Sequence, residues 1–142
     1  MPEKTQAKSL PPNIVAQILL AEAAGEGTEG LEFVADTMLN RARTQGKTLE
    51  DVATAPQQFK AFARPDLEDF YLRQPMNLRM LAEMLVSERR NPAFTPSHNA
   101  QHYVTTELWN RRNTLPKSHW LRNMEAGEPV GHHVPLRPRP RR

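Results

Sequence analysis

Glu22 closes an apolar run in the stretch Asn13 to Gly27, which reads NIVAQILLAEAAGEG. Ile14, Ile18 and Glu22 stand four apart, and residues at i and i+4 share one helical face. A carboxylate that continues an isoleucine row points into a core or a cleft. Partial removal from water disfavours its ionised form, the condition that a proton donor working near neutral pH requires. Gly25 and Gly27 stop the helix just past it, so Glu22 belongs near a helix end, where a cleft can open. On a solvated helix face the same residue would carry no such chemistry. Glu26, one turn further on, is the neighbour that could complete a carboxylate pair. Its other reading is a charge at the start of the next helix, at the positive end of the helix dipole.

The remaining reactive side chains form looser patterns. His98 and His102 are four apart, and His132 and His133 are adjacent. Zinc requires three or four convergent ligands, Asn99 to Gln101 has no firm helical character, and no HExxH is present. The expectation is therefore no metal and no cofactor. No G-x-S-x-G marks a serine nucleophile. The chain has no cysteine, which removes thiol nucleophiles, thiolate metal sites and disulfides.

The elements that must position these residues are mostly helical. Pro11 and Pro12 can open a first helix running to about Ala24. Leu31, Val34, Ala35, Met38, Leu39 and Ala42 follow the helical template without a miss. That second helix has Thr28 as its expected cap, Gln45-Gly46 as its stop and a core-facing apolar side. Thr48 and Asp51 have the spacing of a capping box on a short third helix. Phe70, Tyr71 and Leu72 fall on a short helix ended by Pro75. Asn77 is the expected cap of a longer helix to about Arg89. Residues 91–101 read as a loop and His102 to Val104 as a brief strand. Thr105 caps a short helix containing Trp109, and Pro116 to Met124 adds a turn with Trp120. The final PLRPRPRR alternates proline and arginine and reads as extended and disordered. The expected class is mainly α: one domain with at most a small β element and an extended basic C-terminal tail. Its parts are a polar lead-in at 1–10, the folded domain at 11–134 and the Arg/Pro tail at 135–142.

Composition narrows the partners. A chain of 142 residues is long enough for one domain with a real core. The net charge of +3 suits an anionic partner, but Arg137, Arg139, Arg141 and Arg142 account for most of it. A nucleic-acid groove needs basic residues spread over a folded face, so no nucleic acid is expected. No apolar run is long enough to span a bilayer, since Gln17 and Glu22 break the longest. The opening MPEKTQAKSLPP has no apolar signal core, and the expectation is synthesis in the cytoplasm without the ordinary secretory route.

The order of several segments resembles a known family. ILLAEAAGEGTEGLEFVADTMLNRA is followed by APQQFKAF, then NPAFTPSHNAQHYV, a Trp, and VGHHV. This is similar to the SleB/CwlJ-type cell-wall hydrolases. They carry a Gly-Glu-Ala-x-Gly-Glu motif, a helix ending Leu-Asn-Arg, a Gln-Phe motif, a Gly-Ala-x-x-Tyr segment and a Gly-Asn-His-Val-Phe motif. The likeness runs from about Ile18 to Val134. Ala21 stands in place of the first Gly, His132 in place of Asn, and Pro135-Leu136 in place of Phe-Tyr.

The resemblance implies a lysozyme-like α fold. It also implies cleavage of the peptidoglycan β-1,4 bond between N-acetylmuramic acid and N-acetylglucosamine, chiefly by lytic transglycosylation. By position it implies Glu22 as the catalytic glutamate and Glu26 as the second motif glutamate. Asn40 and Arg41 match the Leu-Asn-Arg end, Gln58 and Phe59 match Gln-Phe, and Tyr103 and His133 match the later segments. Tyr103 could hydrogen-bond the sugar or Glu22, or be a core tyrosine with a satisfied hydroxyl. Phe59 and Trp120 could be platforms for sugar rings, or core aromatics. The expected partners are glycan strands of the wall. A phage lysin or a virion-associated enzyme would meet the secretion constraint, with the Arg/Pro tail available to dock on other virion proteins. The rival classes are a phage tail or baseplate protein that retains the fold without activity, and a zinc amidase or endopeptidase on the peptide stems.

Overall fold

A computed structural model describes residues 10–23, 25–55, 59–130 and 133–138. It is mainly helical, with a small antiparallel sheet of three strands.

Helix α1 spans Ile14–Glu22, and every residue from Ile14 to Leu20 is buried. The isoleucine row is thus one side of a helix that is apolar all round, which is what a helix at the centre of a core looks like. Gln17 is the polar exception, and its amide donates to Asn13 Oδ1 at 3.0 Å. Gly25 and Gly27 have φ of +84° and +74°, a region that glycine enters without a Cβ penalty. Helix α2, Gly27–Gln45, therefore starts before Thr28, with Glu26 in the N-cap position. It ends on Gly46 at φ +65°, whose N–H bonds back to the carbonyls of Ala42 and Arg43.

Helix α3 is Leu49–Thr54 and carries the expected capping box between Thr48 and Asp51. A 3₁₀ turn follows at Lys60–Ala63, then α4 at Leu67–Leu72 and α5 at Met76–Arg89. Pro75, not Asn77, precedes the first turn of α5, with φ −55° and ψ 144°. The fixed proline ring sets the entry, so Asn77 already lies inside the helix. Leu19, Leu20, Val34, Met38, Val52, Ala82 and Leu85 from four of these helices meet in one core.

Strand β1, His102–Thr105, leads into α6, Thr106–Asn110, where Thr105 accepts from the Leu108 N–H as the sequence suggests. Strand β2 is Met124–Ala126 and β3 is His133–Pro138, in the order β1-β3-β2. This corrects the tail that was expected from Pro135 onward: Pro135 to Pro138 belong to the central strand. Tyr103 lies opposite Pro135 and Thr105 opposite His133. Val134 and Leu136 join Leu121 and Met124 in a second, smaller core, while His133 stacks on the other side against Phe33. Alternation across a strand covered on both faces thus overrides the usual exclusion of proline from central strands. The tail residues 139–142 lie outside the described residues. No helix among the described residues is long and apolar enough to cross a membrane.

Candidate active site

Glu22 is the last residue of α1 and is partly buried. Its Oε1 accepts from the Tyr103 hydroxyl at 2.8 Å. Its Oε2 accepts from the backbone N–H of Ala61, in the 3₁₀ turn, at 2.9 Å. Two donors from distant segments fix the plane of the carboxyl group, and each oxygen keeps a further lone-pair position. The group borders a cleft of about 350 Å³, whose walls include Arg41, Phe59, Lys60, Tyr103, Thr105 and His133.

An aromatic wall holds Tyr103. Its ring meets Phe33 edge-on at 5.5 Å and His133 edge-on at 4.8 Å. His133 stacks on Phe33 at 5.7 Å, and Phe33 stacks on His98 at 4.7 Å. Burial, and then the negative charge of Glu22, push the Tyr103 hydroxyl well above the usual phenol range. It stays protonated and serves as a fixed donor.

Arg41 brings a cation to the same cleft. Its Nε donates to the Gln101 carbonyl at 2.8 Å, and its Nη2 is 3.4 Å from His102 Nδ1. Its guanidinium lies 4.8 Å over the Phe59 ring. Burial lowers the Arg41 pKa below its ordinary value, and the charge of Glu22 offsets only part of that fall. Burial, helped by the Arg41 charge, holds His102 below its ordinary value of 6.5, so at neutral pH the ring is uncharged and Nδ1 can accept from Arg41.

The seam beneath the cleft is built from the polar edge of α2. Asn40 donates to the carbonyls of His98 and Ala100 at 2.8 and 2.9 Å. Asp36 accepts from the Ser97 N–H at 3.1 Å and from its hydroxyl at 2.8 Å. The same carboxylate receives Arg89 Nε of α5 at 2.9 Å, in a pair that is almost fully buried. These bonds tie down the loop that delivers β1, and with it Tyr103, to Glu22.

The sequence-derived candidates therefore divide. Glu22, Phe59, Tyr103 and His133 converge on one cleft. Phe59 is only 4% exposed and has Arg41 on its ring, so it is floor rather than an open sugar platform. Gln58 lies outside the described residues, as does His132. Glu26 does not border the cleft; its side chain lies across Gly30, where an added Cβ would come within 2.2 Å of Glu26 Cβ. Glu26 occupies the N-cap of α2, one residue before the helix begins. Trp120 is 49% exposed and does not border the cleft, sitting instead beside His102 at 5.9 Å and His119 at 5.7 Å. His98 and His102 occupy separate settings, one on Phe33 and one on Arg41. Among the described residues no group of three or more His, Cys, Asp or Glu converges to hold a metal.

Sequence reasoning missed the Ala61 N–H, Lys60 and the Asp36–Arg89 pair. A backbone donor has no sequence signature. Asp36 and Arg89 are 53 residues apart, and no local spacing links them. Arg41 was matched by position alone, with no role attached. Comparison with known proteins adds no further constraint: the chain matches no family model, no curated protein and no solved structure.

Proposed function

We propose that the chain is a peptidoglycan-cleaving enzyme acting on the β-1,4 bond between N-acetylmuramic acid and N-acetylglucosamine, as a lytic transglycosylase. The observation that carries this reading is the Glu22 carboxyl group, pinned by Tyr103 and Ala61 at the rim of a cleft. Among the described residues bordering that cleft, Glu22 is the one carboxylate. Hydrolases that attack with, or activate water by, a second carboxylate place it about 5–9.5 Å from the acid. A transglycosylase requires no such partner. Glu22 donates its proton to the bridging oxygen as the bond to the muramic C1 breaks. The resulting carboxylate then takes the proton of the muramic C6 hydroxyl, whose oxygen closes on C1. The product is a 1,6-anhydro ring, no water is consumed, and Glu22 ends as it began. Tyr103 and Ala61 hold the carboxyl plane through both transfers, and Arg41 places positive charge near the carboxylate between them.

The experiment is Glu22→Gln on purified protein with isolated peptidoglycan, followed by mass spectrometry of released fragments. The expected result is a rate lowered by roughly 10²–10⁴-fold with the fold unchanged, and anhydromuramic ends on the wild-type products. Reducing ends would replace transglycosylation with hydrolysis. Equal activity in both proteins would remove Glu22 from the reaction, and inactivity of both would favour a structural protein on this scaffold.

A further inference from the structure

The sheet leaves one edge open, and that edge lines the Glu22 cleft. In the order β1-β3-β2, β1 lies outermost. In an antiparallel pair the N–H and C=O of one residue point to the same side, and successive residues point to opposite sides. His133 exchanges both backbone bonds with Val130, at 2.8 and 2.9 Å. The Pro135 carbonyl accepts from the Gly127 N–H at 2.9 Å, and proline has no N–H to give. Both residues therefore turn away from β1. Strand β3 reaches β1 through Val134 and Leu136, which lie opposite Val104 and His102. The backbone groups of Tyr103 and Thr105 then point outward, away from β3. Gln101 agrees with this alternation, because its carbonyl accepts from Arg41 Nε at 2.8 Å on the outer side. Arg41 thus closes the start of the edge and leaves the Tyr103 N–H and C=O and the Thr105 N–H along it. Among the described residues no strand pairs with them, and Tyr103, Val104 and Thr105 all border the cleft. An edge of this kind is a template for an extended peptide.

We propose, on the peptidoglycan reading above, that this edge binds the peptide stem of the muramic residue held at Glu22. Continuity with the cleft selects the occupant. The Tyr103 hydroxyl is bonded to Glu22, so the edge begins one tyrosine side chain from the proposed acid. The stem hangs from C3 of the muramic ring, on the same sugar as the C1 whose bond breaks. A single stem residue opposite Tyr103 can exchange both backbone bonds with it. That pairing does not depend on the handedness of the neighbouring residues, which suits a stem of mixed L and D amino acids. Charge points the same way. Stems carry carboxylates, and the described residues of the cleft include two cations, Arg41 and Lys60, against the one carboxylate of Glu22. Glu22 is itself uncharged when it acts as the acid. Lys60 is exposed and forms no ion pair among the described residues, so its ammonium is available to a stem carboxylate.

The test is amide NMR on the full chain carrying Glu22→Gln, whose side-chain amide stands in for the protonated acid. The probes are N-acetylmuramyl-L-alanyl-D-isoglutamine, chitotetraose as a sugar without a stem, and tetra-L-alanine as a peptide without a sugar. The muramyl dipeptide should shift the Tyr103 and Thr105 amide resonances and slow hydrogen exchange of the Tyr103 N–H. Chitotetraose should shift cleft resonances without slowing that exchange. Lys60→Glu should weaken binding of the muramyl dipeptide by roughly two- to fivefold, the scale of an exposed ion pair, and that of chitotetraose less. Binding of the muramyl dipeptide without protection of the Tyr103 N–H overturns the proposal, as does its failure to bind at millimolar concentration. Equal protection by tetra-L-alanine overturns the stem as the occupant and leaves an edge for peptides at large. Failure of the Glu22 reading has a different signature: the muramyl dipeptide protects Tyr103, yet the wild-type chain releases no fragments from peptidoglycan.

Discussion

The helical body and the small sheet hold together by different means. The body is organised round α1, which is buried on every side, and its core draws apolar residues from α1 to α5. The sheet has a core of four buried side chains, Leu121, Met124, Val134 and Leu136. Its first strand is attached to the body largely through polar bonds from one edge of α2: Asp36 to Ser97, Asn40 to His98 and Ala100, and Arg41 to Gln101. The candidate site straddles the two. Glu22 comes from the heavily packed part, while Tyr103 and His133 come from the lightly packed one. The acid therefore sits on a helix set by apolar packing, whereas its orienting partner sits on a strand that α2 clasps by hydrogen bonds and that Phe33 and His133 contact with their rings, and the two should respond differently to mutation.

The largest effect is expected at the seam. Asp36→Ala strands the buried Arg89 guanidinium and releases Ser97, which should cost about 3–5 kcal/mol in urea denaturation. A loss below about 1 kcal/mol, the scale of an exposed pair, would mean that the seam is held elsewhere. Next comes Leu136→Ala, which opens the sheet core and should cost about 2–3 kcal/mol, toward the lower end for a buried leucine. Hydrogen exchange should then quicken in β1, β2 and β3 while α1 stays protected. Equal acceleration in both parts would break the distinction between them, because local and global opening would be the same event. The smallest effect on stability is expected for Tyr103→Phe, which removes the hydroxyl bond to Glu22 for about 1 kcal/mol. Turnover of peptidoglycan should fall on the order of tenfold, equivalent to about 1.4 kcal/mol of the barrier, with a changed pH profile. Unchanged turnover and profile would leave the tyrosine as wall alone.

The helices were legible where one side of the chain alone decides the pattern. Leu31, Val34, Met38 and Ala42 announced α2, and Thr48 with Asp51 announced the start of α3. Caps set by backbone entry rather than by side chains fall elsewhere than expected: Glu26 and Pro75 take the places of Thr28 and Asn77. The end of the chain misled most. Prolines at 135 and 138 read as a tail because a lone strand gains nothing from residues without an N–H. In the fold, Val134 and Leu136 face one layer and His133 the other, and that double burial outweighs the missing donors.

What the sequence determined by itself is that a glutamate ends an apolar helix at a glycine turn, within a mainly helical chain. Those are local matters: the side-chain period, the left-handed freedom of glycine, the reach of a capping box. Only the tertiary structure decided which donors hold that carboxylate, that Glu26 is not among the residues lining its cleft, and that Arg41 is. Tyr103 lies 81 residues from Glu22, and a contact across that separation exists only once β3 has ordered β1 and α2 has clasped the loop before it.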